Sequence, residues 1–165
     1  MKQTVLSIVL LGSMISAANA ATGILSQKTL SLDLADELAQ SVIQACAKDN
    51  YNVSVTVVDR SGTPLVMKRM DNAGPHTLEA SRMKAFTSLT TKNPTENVMK
   101  GAQSNPEAAN MRDIPGFLLL AGGVPVKSGE QVIGAVGVGG APGGHLDQAC
   151  AVQGLEKIKS GLAAG

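Results

Sequence analysis

Two short alternating runs dominate the sequence, Asn-Val-Ser-Val-Thr-Val-Val-Asp at 52–59 and Pro-Leu-Val-Met-Lys-Arg-Met at 64–70, joined by Arg60-Ser61-Gly62-Thr63. Valines at every second position followed by a glycine-bearing turn are the signature of a β-hairpin. A sheet begun by a hairpin buries its apolar face under grouped helices, which points to an α+β layer arrangement rather than to strict β-α alternation.

The flanking segments supply those helices. Residues 31–49 carry Ala35, Leu38, Ala39, Val42 and Cys46 at helical spacing, with Ser31 as N-cap and Asp33 in the first turn. After the break at Asp71-Asn72-Ala73-Gly74, Pro75 suits the first position of a helix running to about Thr90, with Leu78, Ser81, Ala85 and Leu89 as its buried stripe. Asn93 as cap, Pro94 at the first position and Glu96 open a short helix ending near Gly101. Residues 103–115 are polar and aperiodic, and a loop of that length in a compact domain is a candidate lid. Residues 117–120, 124–127 and 131–138 read as three strands, and Gly139-Gly140-Ala141-Pro142-Gly143-Gly144 turns the chain into a last helix bearing Ala151, Leu155, Ile158 and Leu162. The expected order is α-ββ-αα-βββ-α, with a five-stranded antiparallel sheet.

The first twenty residues stand apart. Lys2, the apolar run 5–11 and Ala18-Asn19-Ala20 follow the order of a secretory signal peptide, so cleavage is expected after Ala20, leaving residues 21–165 as a single domain. The apolar run falls well short of the roughly 20 residues needed to cross a bilayer, and no membrane insertion is expected. Removing the leader takes one lysine and leaves 13 basic against 13 acidic residues. That balance excludes the basic excess on which nucleic-acid binding depends. Export to the periplasm or beyond would let Cys46 and Cys150 pair; two buried thiols are the alternative.

Several segments together resemble the GlcG/HbpS family. They are Arg69-Met70-Asp71-Asn72-Ala73, Ala80-Ser81-Arg82-Met83-Lys84-Ala85, Gly122-Gly123-Val124-Pro125, Gly134-Ala135-Val136-Gly137-Val138-Gly139-Gly140 and Asp147-Gln148-Ala149-Cys150-Ala151. The likeness spans about residues 28–160 and extends to the C-terminal domain of PduO-type proteins. It implies a profilin-like fold, homo-oligomers and haem as cofactor. His145 departs from the pattern, which often has an acidic or small residue there. Characterised members do not share one axial ligand, so none transfers by position.

The residues themselves offer two imidazoles. His76 opens the central helix, and Glu79, Arg82, Met83 and Lys84 follow it, the two cations being candidate partners for haem propionates. His76 is the first choice for the haem iron, with Met83 about 10 Å along the same helix and so unable to bind one iron from the opposite side. His145 precedes the last helix, whose dipole favours the neutral imidazole. The N–H groups around Gly139 and Gly140 are candidate propionate contacts, although the turn fails the dinucleotide fingerprint and turning the chain is its simpler use. With no Trp, one Tyr and two Phe, aliphatic walls and Met67, Met70, Met83, Met99 and Met111 would have to line a pocket, though methionines are more often core filler.

The leading expectation is therefore a periplasmic or secreted haem (tetrapyrrole) binder for storage, delivery or sensing, not an enzyme. Two others stand beside it. One is a small-molecule lyase or hydrolase using His76 with Glu79 or Asp71 as an acid-base pair, for which the sequence offers no nucleophile elbow or metal cluster. The other is an oligomeric interaction module without a ligand, engaging a sensor kinase or transporter.

Overall fold

A computed structural model describes residues 23–163. The expected signal peptide lies outside the described residues. The chain forms α1 (Leu32–Lys48), β1 (Ser54–Asp59), β2 (Pro64–Arg69), α2 (Thr77–Thr91), α3 (Thr95–Ser104), a 3-10 helix (Pro106–Asp113), β3 (Gly123–Ser128), β4 (Gln131–Gly139), α4 (Gly144–Lys157) and α5 (Lys159–Ala163). The strands make one antiparallel sheet in the order β2-β1-β4-β3.

The sheet has four strands, not five. Residues 117–120 fail to pair because helix side chains take their backbone groups. The Leu118 N–H donates to Thr87 Oγ1 at 2.9 Å, and the Leu120 carbonyl accepts from Thr95 Oγ1 at 2.7 Å. The aperiodic stretch expected as a lid is also ordered differently. Helix α3 runs on to Ser104, and Asn105 then caps the 3-10 helix by accepting from the Glu107 N–H. Asn93 does not cap α3; its amide donates to the Thr91 carbonyl, and Pro94 occupies the cap position.

Strand alternation separates two unlike faces. Val55 and Val57 point into the main core, where Val136 and Val138 meet Leu38, Val42 and Cys46 of α1 and Cys150 and Ala151 of α4. Cys46 and Cys150 are disulfide-bonded across α1 and α4, 104 residues apart. The opposite face is covered by α2 and is polar. Ser54 and Thr56 are fully buried there, each 2.7 Å from a helix hydroxyl, on Thr77 and Ser81 respectively. Thr77 and Ser81 give their own protons to the carbonyls of Gly74 and Leu78, so the strand hydroxyls are the donors to the helix.

Glycines let α2 lie that close. Gly137 pairs with Thr56 on one side and with Gly123 on the other, forming a row under the helix. A Cβ at Gly137 would stand 2.0 Å from the Ser81 carbonyl oxygen, and one at Gly123 would stand 2.3 Å from that of Lys84. The expected α2 stripe is thus half right: Ser81 and Ala85 are buried, but Lys84, Thr87 and Ser88 join them while Leu78 and Leu89 are only partly covered.

Candidate functional site

The glycine row ends where β4 leaves the sheet, and three features meet at that end: the start of α2, the turn 139–143 and the start of α4. Pro75 and His76 lie in the turn before α2 rather than inside it, and the helix proper begins at Thr77. His76 holds the N-cap position, its carbonyl accepting the Ala80 N–H, but its imidazole makes no capping bond. The ring is exposed and lies against Gly74, where a Cβ would approach it to 3.0 Å.

The glycine turn packs onto this helix start. A Cβ at Gly139 would sit 3.2 Å from the Thr77 carbonyl oxygen. Gly140 has φ +129, and a Cβ there would meet the Asn52 carbonyl oxygen at 2.6 Å, so both backbone angle and space require glycine. The structure therefore packs Gly139 and Gly140 closely onto the start of α2, where the sequence reading expects a cleft between that helix and the glycine turn. No side chain caps α4, whose N-cap is Gly143, and the Gly143 carbonyl accepts the Leu146 and Asp147 N–H groups. His145 belongs to the first turn of that helix rather than to the loop before it, and is exposed.

The side chains along α2 divide by face. Glu79 and Arg82 pair with each other on the surface at 2.6 Å. The Arg82 hydrogen bond holds the Glu79 carboxyl below its ordinary range, against a small opposing effect of burial. Glu79 is thus Arg82's partner. Exposed pairs of this kind contribute little, so Arg82 can exchange Glu79 for a ligand carboxylate at small cost. Met83 is partly buried.

Lys84 corrects the sequence reading. It is 1 % exposed, and its Nζ donates to the Val138 carbonyl at 2.9 Å and to Asp147 Oδ2 at 2.7 Å. No propionate reaches an ammonium held in this way. Asp147 Oδ1 accepts the Ala141 N–H at 2.9 Å, so one buried ion pair ties α2 to the glycine turn and to α4. Burial pushes the Asp147 carboxyl above its ordinary value, while the charge and hydrogen bond of Lys84 and the Ala141 N–H pull it back. The sequence reading missed this role of Asp147; a lysine one step from the apolar stripe and an aspartate inside the last motif were the available signals.

A second polar group joins α3 to the start of α4. Gln148 donates to Glu96 Oε2 at 2.8 Å, and hydrogen bonds from Lys100 and Gln148 keep the Glu96 carboxyl low, with His145 adding a smaller favourable charge effect. The two phenylalanines face each other edge to face, ring centroids 6.1 Å apart, and Phe117 is buried. Among the described residues no three His, Cys, Asp or Glu side chains gather as a metal site. The exposed imidazole of His76, the guanidinium of Arg82 and the glycine turn are donors of the type haem requires.

A small antiparallel sheet between a disulfide-tied helix pair and a polar helix, with glycines clearing one end, makes an α+β domain. The structure of a double mutant of Streptomyces reticuli HbpS is similar, with a TM-score of 0.78 and 38% identity over 87% of this chain and 98% of that one. GlcG of Escherichia coli K12 is 33% identical over 109 residues, 64% of this chain and 80% of that protein. PduOC, solved as its haem complex, shares the fold with a TM-score of 0.71 and 22% identity, covering 79% of this chain and 95% of that one. The profile described as "Haem degrading protein HbpS-like" matches residues 30–156, and the chain belongs to that family.

Proposed function

We propose that this protein binds haem, or a closely related tetrapyrrole, as an exported accessory protein for storage, delivery or sensing. The observation that carries the reading is the family match across residues 30–156. Export is supported by the Cys46–Cys150 bond, since such bonds persist in oxidising compartments. Assembly into a homo-oligomer is supported by β2 and β3, each paired on one side only within the sheet.

In this reading His76 ligates the iron, Arg82 and the N–H groups near Gly139 and Gly140 receive propionates, and Glu79 releases Arg82 to do so. His145, in the first turn of α4, is the alternative ligand. Bound haem supplies iron chemistry; the chain's residues hold it and limit its access to solvent. His76→Ala is expected to shift or abolish the Soret band and to weaken ferric haem binding at least about tenfold, as loss of a coordinating imidazole requires. His145→Ala should change both much less. An unaltered spectrum in His76→Ala would transfer the ligand role elsewhere.

The family's description favours one further reading, in which the haem is consumed rather than kept. Progressive loss of the Soret band with release of iron, in the presence of a reductant and oxygen, would mark that activity; a stable band would mark a carrier.

A further inference from the structure

We infer that a second ligand site, separate from the His76 end, lies between α3, the 3-10 helix and the chain that follows it, and that it takes a small amphipathic carboxylate. A cleft of about 480 Å³ opens there, walled by Met99, Ala102, Ala109, Leu118 and Leu119, with Arg112 on its lining. Its volume falls within the roughly 300–1,000 Å³ of small-molecule pockets. The cleft's lining includes no residue of α2, of the glycine turn or of α4. Thr87, which anchors Leu118, is eleven residues from His76, about 16 Å of helix.

The apolar wall is firmly based. Phe117, next to Leu118, is buried against Phe86, and the Leu118 N–H is held by Thr87 Oγ1. Leu118 and Leu119 nevertheless remain partly exposed, because the chain places nothing over them. The facing 3-10 helix buries none of its residues and so can adjust to an occupant.

The polar groups define the ligand class. Arg112 is exposed, and among the described residues its guanidinium has no ion pair; Glu107 and Asp113 of the same helix do not line the cleft. A guanidinium over aliphatic walls matches a molecule with a carboxylate head and an alkyl tail, since its planar fork takes carboxylate in two hydrogen bonds. Gln103, also on the lining, can donate a third.

The test uses the full-length processed protein and dansyl-undecanoic acid as fluorescent probe. Saturable binding is expected, displaced by dodecanoate far better than by dodecanol. Arg112→Gln should weaken probe binding about tenfold while leaving the melting temperature unchanged, in keeping with loss of a charge-assisted contact. Leu119→Gln should weaken it as well, testing the wall. Absent saturation, equal displacement by acid and alcohol, or an unaffected Arg112→Gln would each overturn the proposal. Displacement of the probe by one equivalent of haemin would overturn it too, by giving the cleft to the tetrapyrrole. Haemin binding that persists in Arg112→Gln keeps the two sites distinct.

Discussion

Replacing both bridged cysteines, Cys46→Ala with Cys150→Ala, is expected to lower folding stability by about 4 kcal/mol, because the bond closes a loop of about 100 residues in the unfolded chain. The two positions are 104 residues apart and tie the first long helix to the last. Both side chains are buried in the main core, at 0% and 2% exposure, so native protein should resist reductants until it opens. For a domain whose total stability is about 5–15 kcal/mol, that loss is a large share. Urea unfolding of the oxidised protein and the double variant measures it, and denatured oxidised protein should show no free thiol. A loss under about 1 kcal/mol would mean that packing between α1 and α4 holds the joint unaided.

Breaking the buried ion pair should have an effect of similar size. Lys84→Met leaves Asp147 without its cation, and Asp147→Asn leaves the Lys84 ammonium without its anion. Each is expected to cost about 3–5 kcal/mol, the usual consequence of stranding a buried charge. Combining Lys84→Met with Asp147→Leu should recover most of that loss, since a buried pair is often replaceable by apolar residues. The pH dependence has a definite sign. Asp147 has a folded-state value above its unfolded one, so its contribution is fully present below the unfolded value and is lost as pH rises through the folded value. Lys84→Met removes the pull that opposes this, raising the folded value further. The variant's deficit should therefore shrink as the pH falls from 7 and the carboxyl becomes neutral. Equal deficits at every pH would show that the aspartate is not the stranded group.

The polar layer between α2 and the sheet explains where the sequence was readable. The hairpin, the Ser31 cap and the apolar stripe of α1 follow simple periods, and the structure carries them with shifts of a few residues at the ends. On the other face the alternation of Ser54 and Thr56 with valines resembles a solvent-facing pattern, yet those hydroxyls are buried against Thr77 and Ser81. No one-dimensional period distinguishes hydroxyls that meet each other from hydroxyls that meet water. The same ambiguity made Lys84 look like a surface cation and hid Asp147 as its partner 63 residues away. Residues 117–120 have strand composition, but their hydrogen bonds go to Thr87 and Thr95, an arrangement visible only once α2 and α3 are in place. The glycine turn reads in the sequence only as a chain reversal offering N–H groups, and its close approach to Asn52 and Thr77 emerges once β1 and α2 are in place.

The most direct test of the proposed function is titration of the exported, processed protein with ferric haemin, followed by absorbance in the Soret region and by tryptic mapping of the N-terminus to establish processing. Binding is predicted to saturate at a fixed stoichiometry per chain with a shifted Soret band, and to weaken on acidification, because protonation competes with iron for the imidazole. A featureless, non-saturating titration indistinguishable from haemin added to buffer would contradict the proposal that this chain is a haem-binding protein.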